Sequence, residues 1–178
     1  MKIHSEPLSG AFVLNPRVFE DMRGDFVKTF HQPDFVALGI HFDPREEFFS
    51  TSHRNVLSGM HFQLPPHDHE KFVYCIRGSI LDVVLDLRKG SPDLGKFAGI
   101  RLSAQNRQLF FIPKGMAHGF LALEDDTVVV YKTSTVHSPS HDAGVRWDSF
   151  GFVWPVETPI LSERDRSFPA MADFNSPF

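Results

Sequence analysis

The chain has 178 residues, 42% hydrophobic and 22% charged, with a net charge of −4 and both signs interspersed. That balance suits one soluble globular domain spanning residues 1–178 and excludes an intrinsically disordered chain. It also lacks the basic footprint of a nucleic-acid binder, and no window approaches the ~20 apolar residues of a membrane span. The single cysteine, Cys75, excludes an internal disulfide and suits a reducing cytoplasm; set in an apolar run, it reads as a buried, inert thiol. The first six residues lack the apolar stretch of a secretory signal, so a soluble, cytoplasmic protein is expected, with neither nucleic acid nor membrane as partner.

Short runs of β-branched and aromatic residues follow one another along the chain, and phenylalanine is unusually common at 19 residues. The first predicted strand covers residues 11–14, and a helical turn is expected over 33–39. Strands over 48–52 and 56–63 come next, closed by the turn signal Pro65-Pro66. Strands over 72–76 and 79–87 are separated by Arg77-Gly78, and Lys89-Gly90-Ser91-Pro92 ends the second. Strands over 97–102 and 108–112 lead to Pro113-Lys114-Gly115, and strands over 120–123 and 127–133 complete the set. A second helical region is expected within 155–169. Many short strands with this spacing predict an all-β sandwich or barrel with a few short helices. No linker or internal repeat interrupts it. In the strand over 79–87 the odd positions from Leu81 are apolar, which puts Asp82 and Asp86 on the other face with Ile80 and Val84. Carboxylates there either meet solvent or line a polar barrel mouth.

Two spacings carry chemistry. Lys71 precedes the hairpin glycine Gly78, and Pro113-Lys114-Gly115-Met116-Ala117-His118 places a histidine ahead of a strand. Together they resemble the two halves of the cupin signature, which in many cupins supplies histidines and a glutamate to one metal. Here Lys71 occupies the glutamate position, and the first slot of the expected His-x-His pair holds Leu64 or Pro65. An ammonium group offers only donors and repels a divalent cation. His67 and His69 flank Asp68 in a proline-rich turn and read as exposed surface rather than ligands. Neither a metal nor another cofactor is expected.

From about Phe19 to Asp165 the chain is similar to the dTDP-4-dehydrorhamnose 3,5-epimerases, metal-free members of the cupin superfamily. The landmarks are Asp21-Met22-Arg23-Gly24-Asp25-Phe26, then Asn55-Val56-Leu57-Ser58-Gly59-Met60-His61-Phe62-Gln63, then Lys71-Phe72-Val73. Asp82-Val83-Val84-Leu85-Asp86-Leu87-Arg88, Ile112 to Phe120, Tyr131-Lys132-Thr133, Trp147-Asp148 and Leu161-Ser162-Glu163-Arg164-Asp165 follow in order. The resemblance implies a cupin-type jelly-roll barrel that binds a nucleotide-diphosphate sugar and forms a homodimer with sheet contributions crossing between subunits.

It also implies a reaction. In a 4-keto hexose, C3 and C5 flank the carbonyl, so either proton can leave to give an enolate. Inversion needs a base on one face, a proton donor on the other, and positive charge near the oxyanion. His61 matches the base, Asp165 the carboxylate that orients it, Lys71 the holder of the enolate oxygen, and Tyr131 the returning acid. His118 and Asp82 match substrate contacts, and Arg23 a diphosphate contact.

Much of the substrate-holding set departs from the family. Ser58 stands for an arginine, Lys28 for a glutamate, and Glu46-Glu47-Phe48 for Gln-Asp-Asn. His137 replaces a thymine-stacking tyrosine, Val136 its aromatic neighbour, Asp142 a glutamate and Arg164 a lysine. The expectation is an active epimerase whose nucleotide, sugar or number of inverted centres differs from the usual. Two other classes remain open on the sequence: a metal-dependent cupin enzyme using His61, His67, His69 and His118, and a non-catalytic sugar-nucleotide-binding cupin. Strict alternation from His61 places Gly59 and Leu57 on its face and Ser58 on the other, unless the strand bulges near Gly59.

Overall fold

Apolar residues alternate along most strands, and each strand face finds a different cover. The computed structural model describes residues 1–178. The chain opens with β1 (Lys2–Leu8), β2 (Ala11–Asn15), β3 (Arg17–Asp21), β4 (Gly24–Lys28) and α1 (Gln32–Ala37). β5 (Glu46–Ser52), β6 (Leu57–Gln63), β7 (Lys71–Arg77), β8 (Ser79–Asp86) and β9 (Phe97–Ser103) follow. β10 (Leu109–Ile112), β11 (Met116–Ala122), β12 (Thr127–Thr133), β13 (Asp142–Gly144) and α2 (Glu163–Ser167) complete the main elements.

Two large sheets are formed, in the orders β1-β2-β10-β7-β12-β5 and β13-β6-β11-β8-β9, beside a two-stranded β3-β4 sheet. Neighbouring strands are antiparallel throughout, as in β10 with β7 and β11 with β8. Between the sheets lies a core drawn from both, with Val73, Phe110 and Val129 from one meeting Ile80, Val84 and Phe120 from the other. The expected jelly-roll barrel is therefore present. On the outside of the six-stranded sheet, Phe72, Tyr74 and Phe111 pack beneath Phe35 of α1 and Phe42. On the outside of the five-stranded sheet, Val83, Leu85 and Leu87 are covered by the C-terminal segment through Trp154, Phe174 and Phe178. Burying apolar groups on both faces of both sheets explains why β7, β8 and β11 read as nearly continuous hydrophobic runs.

All nine predicted strands occur, with β11 beginning at Met116 rather than residue 120. Four strands were not predicted: β1, β3, β4 and β13. β1 is polar, exposed and at the edge of its sheet, so little in its composition marks it. β3 and β4 pair only with each other. Their hairpin is fastened to the barrel by Arg107, which contacts Glu20 at 3.0 Å and also Asp25.

Neither expected setting for the β8 carboxylates holds in full. Asp82 and Asp86 face the interior, as alternation requires, but both are fully buried. Asp86 accepts from the backbone N and Nε of Arg88, each at 2.9 Å, and from Ser91 Oγ at 2.6 Å. Burial would raise its carboxyl, but these hydrogen bonds hold it below the usual carboxylate range. It fixes the far end of the barrel, because Arg88 also donates to Ser9 O at 2.7 Å.

β6 breaks its alternation where the function needs it broken. On β11, His118 opposes His61 and Phe120 opposes Ser58, so one strand advances two residues while the other advances three. Leu57 and Met60 both pack outward, leaving Ser58 and His61 inward. Gly59 absorbs the extra residue at φ +142°, and a Cβ there would lie 2.5 Å from Gly119 Cα. Only a glycine pair permits that approach.

Candidate active site

Inward-facing side chains of the two sheets meet in a cavity of about 450 Å³. The five-stranded sheet contributes Ser58, His61 and Gln63 from β6, His118 from β11 and Asp142 from β13. The six-stranded sheet contributes Glu46, Phe48 and Ser50 from β5, Lys71 from β7, and Tyr131 and Thr133 from β12. An imidazole and a phenol thus enter one space from opposite walls.

His61 is held from behind. Its Nε2 lies 2.5 Å from Asp165 Oδ1, and the Asp165 side chain is 5% exposed against 22% for His61. Asp165 is placed by α2, whose first turn is capped by Ser162 Oγ accepting from Asp165 N at 3.1 Å. Backbone hydrogen bonds from Leu57 N to Ile160 O (3.0 Å) and from Ile160 N to Asn55 O (2.9 Å) tie the segment before α2 to β6. Phe168 sets its edge-to-face ring 5.5 Å from the imidazole. Since a carboxylate only accepts, Nε2 carries the hydrogen and Nδ1 is the nitrogen free to take a proton. Burial lowers the His61 pKa; Asp165 opposes the shift without reversing it, and the nearby Lys71 and Arg164 charges add to it. The ring is therefore neutral at pH 7.

Lys71 Nζ donates to His61 O at 3.2 Å. Burial lowers its pKa to about 8, against the pull of Asp142 and Asp82. Tyr131 stacks on Phe48 with centroids 4.9 Å apart, and its hydroxyl is 3.4 Å from Ser50 Oγ. Burial keeps its phenol protonated well above the ordinary range. His118 turns its ring edge towards Tyr131 at 6.3 Å and is bound through Nε2 to Asp82 Oδ1 at 2.7 Å. No group of three or more His, Cys, Asp or Glu side chains is arranged to hold a metal ion.

The family model for dTDP-4-dehydrorhamnose 3,5-epimerase matches residues 5–173. The chain belongs to this epimerase family. A relative from Methanothermobacter thermautotrophicus, described as dTDP-4-dehydrorhamnose 3,5-epimerase, is 42% identical over 93% of this chain and 92% of its own length. The solved structure of the Bacillus anthracis enzyme of that name, with TDP and PPi bound, superposes with a TM-score of 0.94 at 36% identity, covering 96% of this chain and 99% of that one. ChmJ from Streptomyces bikiniensis, a 3'-monoepimerase solved with dTDP-quinovose, superposes with a TM-score of 0.88 at 32% identity, covering 96% and 88%.

Within this epimerase fold, most of the site residues expected from the sequence come together. Glu46, Phe48, Ser58, His118, His137, Asp142 and Arg164 line the cavity beside His61, Lys71 and Tyr131. Arg164 donates to Asp142 at 2.7 Å and sits over the Phe168 ring, while Glu46 accepts from His137 N at 2.8 Å. Asp82 does not line the cavity: it stands behind His118, fully buried, and orients that ring rather than a ligand. Arg23 and Lys28 also stay outside. Both lie on the β3–β4 hairpin, where the largely exposed Arg23 pairs with Asp21 at 2.5 Å. The expected exposure of the 67–69 turn is corrected as well, since His69 lines the cavity while the His67 ring lies tilted against His141, 4.2 Å between centroids.

Sequence reasoning passed over Ser50, Gln63 and Thr133. Each stands two residues from a chosen residue on its strand, at Phe48, His61 and Tyr131, so extending the alternation would have found all three.

Proposed function

We propose that the protein is an isomerase acting at C3 and/or C5 of a nucleotide-diphosphate-linked 4-keto-6-deoxy hexose, in deoxysugar or surface-polysaccharide biosynthesis. The observation that carries this reading is the entry of His61 and Tyr131 into one cavity from opposite sheets, with Lys71 lining the same cavity and its ammonium 3.2 Å from His61 O. Neutral His61 takes the proton beside the carbonyl through Nδ1, and Asp165 stabilises the imidazolium that results. The Lys71 ammonium neutralises the enolate oxygen. Tyr131 then delivers its proton from the far face, which inverts the centre. No electron leaves the substrate, so these residues account for the reaction without a cofactor.

The substrate set supports a nucleotide-sugar that differs from the usual dTDP sugar. At Ser58 the cavity wall has a hydroxyl where the family carries a guanidinium, which removes a bidentate grip on an anion. His137 and Val136 replace an aromatic pair at the nucleobase end. The protein acts as a homodimer in the cytoplasm on this reading: the hairpin exposes Phe19, Met22 and Phe26 as an apolar patch for a second subunit, and the exposed Arg23 beside them is paired only within the hairpin, to Asp21.

Incubation of a dTDP- or UDP-linked 4-keto-6-deoxy hexose in heavy water tests the reaction. Deuterium should enter C3, C5 or both; tight binding of both sugars with no exchange would leave a binding protein instead. The pH profile of kcat/KM follows from the site. His61 must be neutral, so the rate falls as pH drops through its pKa, which lies below the ordinary 6.5. Lys71 must be charged, so the rate also falls as pH rises through about 8. A basic limb that stayed near 8 in a Lys71→Arg protein would show that Lys71 is not the group that counts.

A further inference from the structure

Gln63 and His69 form a unit that the reaction above does not use. The Gln63 carboxamide is buried, and its orientation is fixed at both ends. Oε1 accepts from Ser138 N at 2.6 Å, while Nε2 donates to His67 O at 2.8 Å. The same Nε2 lies 3.1 Å from His69 Nδ1, nearer than its further contacts with Thr135 Oγ1 at 3.3 Å and Val136 O at 3.4 Å, and as a donor it makes that ring nitrogen the acceptor. Thr135 Oγ1, 3.3 Å from Nδ1, directs its hydrogen to His67 O at 3.0 Å and could only accept from this nitrogen; the closer Gln63 amide, which can only donate, decides the tautomer. A neutral imidazole that accepts at Nδ1 carries its hydrogen on Nε2. That Nε2 is buried, and no protein group pairs with it, although His69 lines the cavity. Buried donors without an acceptor are rare in folded proteins because each one costs its full desolvation.

We infer that His69 is a specificity-determining residue that Gln63 locks in the Nε2–H tautomer, so that it donates a hydrogen bond to an oxygen of the bound hexose. This rests on the epimerase reading for the identity of the ligand. His69 stands two residues before Lys71, and at the spacing of an extended chain that is roughly 7 Å, about the width of a pyranose ring. A ring carbonyl held by Lys71 would therefore leave an oxygen on the other side of the hexose within reach of His69. Burial and the charges of Lys71 and Lys114 lower the His69 pKa to about 3, so the ring stays neutral wherever the enzyme works. It reads an acceptor and adds no charge to the site. A substrate lacking that oxygen leaves the donor unpaired, which is the kind of contact that discriminates most strongly.

The test has two arms. Imidazole ¹⁵N shifts of the free wild-type protein should show His69 protonated at Nε2 from pH 5 to 8; protonation at Nδ1, or titration in that range, would overturn the inference. His69→Leu should raise KM about tenfold while kcat changes less than threefold, the mark of a contact made equally in ground and transition states. His69→Gln, which restores an N–H donor, should recover most of that loss. An unchanged KM in a folded His69→Leu protein, or no difference between the Leu and Gln variants, would overturn it. If wild-type protein failed to exchange deuterium, the epimerase reading would fall, whereas the overturning results above leave wild-type exchange intact.

Discussion

Replacing His61 with alanine should lower kcat by about 10²–10⁴-fold and abolish deuterium entry into the substrate, while the barrel stays folded. The loss is this large because the other imidazole–carboxylate pair, His118 with Asp82, is more deeply buried than His61 and packs its ring edge-on to Tyr131, 6.3 Å between centroids, too close for a sugar ring to lie between them. Asp165→Asn should come close to the same loss by a different route. A carboxylate can only accept from Nε2, whereas a carboxamide can donate to it and leave the hydrogen on Nδ1, the wrong nitrogen for a base. The assay is single-turnover exchange in heavy water. His61→Ala protein that still exchanged within tenfold of wild type would end the assignment of the base.

Tyr131→Phe should separate exchange from inversion. The ring keeps its stacking on Phe48 and its place in the core, and only the hydroxyl beside Ser50 goes. Folding should therefore be little affected. His61 still removes its proton and can return a deuteron to the same face, so exchange continues with retained configuration. Formation of the epimer should drop by at least ~10²-fold, the usual contribution of a positioned acid. Product with normal inversion would transfer the acid's role to another group, and loss of exchange together with inversion would mean that Tyr131 is needed for enolate formation itself.

The sequence disclosed the barrel because alternation and turn chemistry are local. Residues 79–87 and 127–133 announce themselves by their apolar periodicity, and β8 and β12 lie there. β1 and the β3–β4 hairpin lack that signal: their residues are mostly exposed, and what holds them is pairing and the Arg107 contacts rather than burial. The catalytic set was legible only through motif spacing. No periodicity links His61 to Asp165, which are joined across more than half the chain by an isolated bridge between Val56 and Ile160. Simple alternation also misplaced Ser58, because one extra residue in β6 reverses the phase at Gly59. The exposed reading of His69 failed for a related reason. A proline-rich turn looks like surface, but Gln63 draws this one inward through hydrogen bonds that no linear pattern encodes.

The C-terminal segment serves two masters. Trp154, Phe174 and Phe178 shield the outer wall of the barrel, and between them the same stretch of chain delivers the carboxylate that keeps His61 in its working tautomer. Turnover therefore reports on whether this tail is docked. A protein whose tail had peeled away could keep its strands paired and its cavity shaped, and still be catalytically silent.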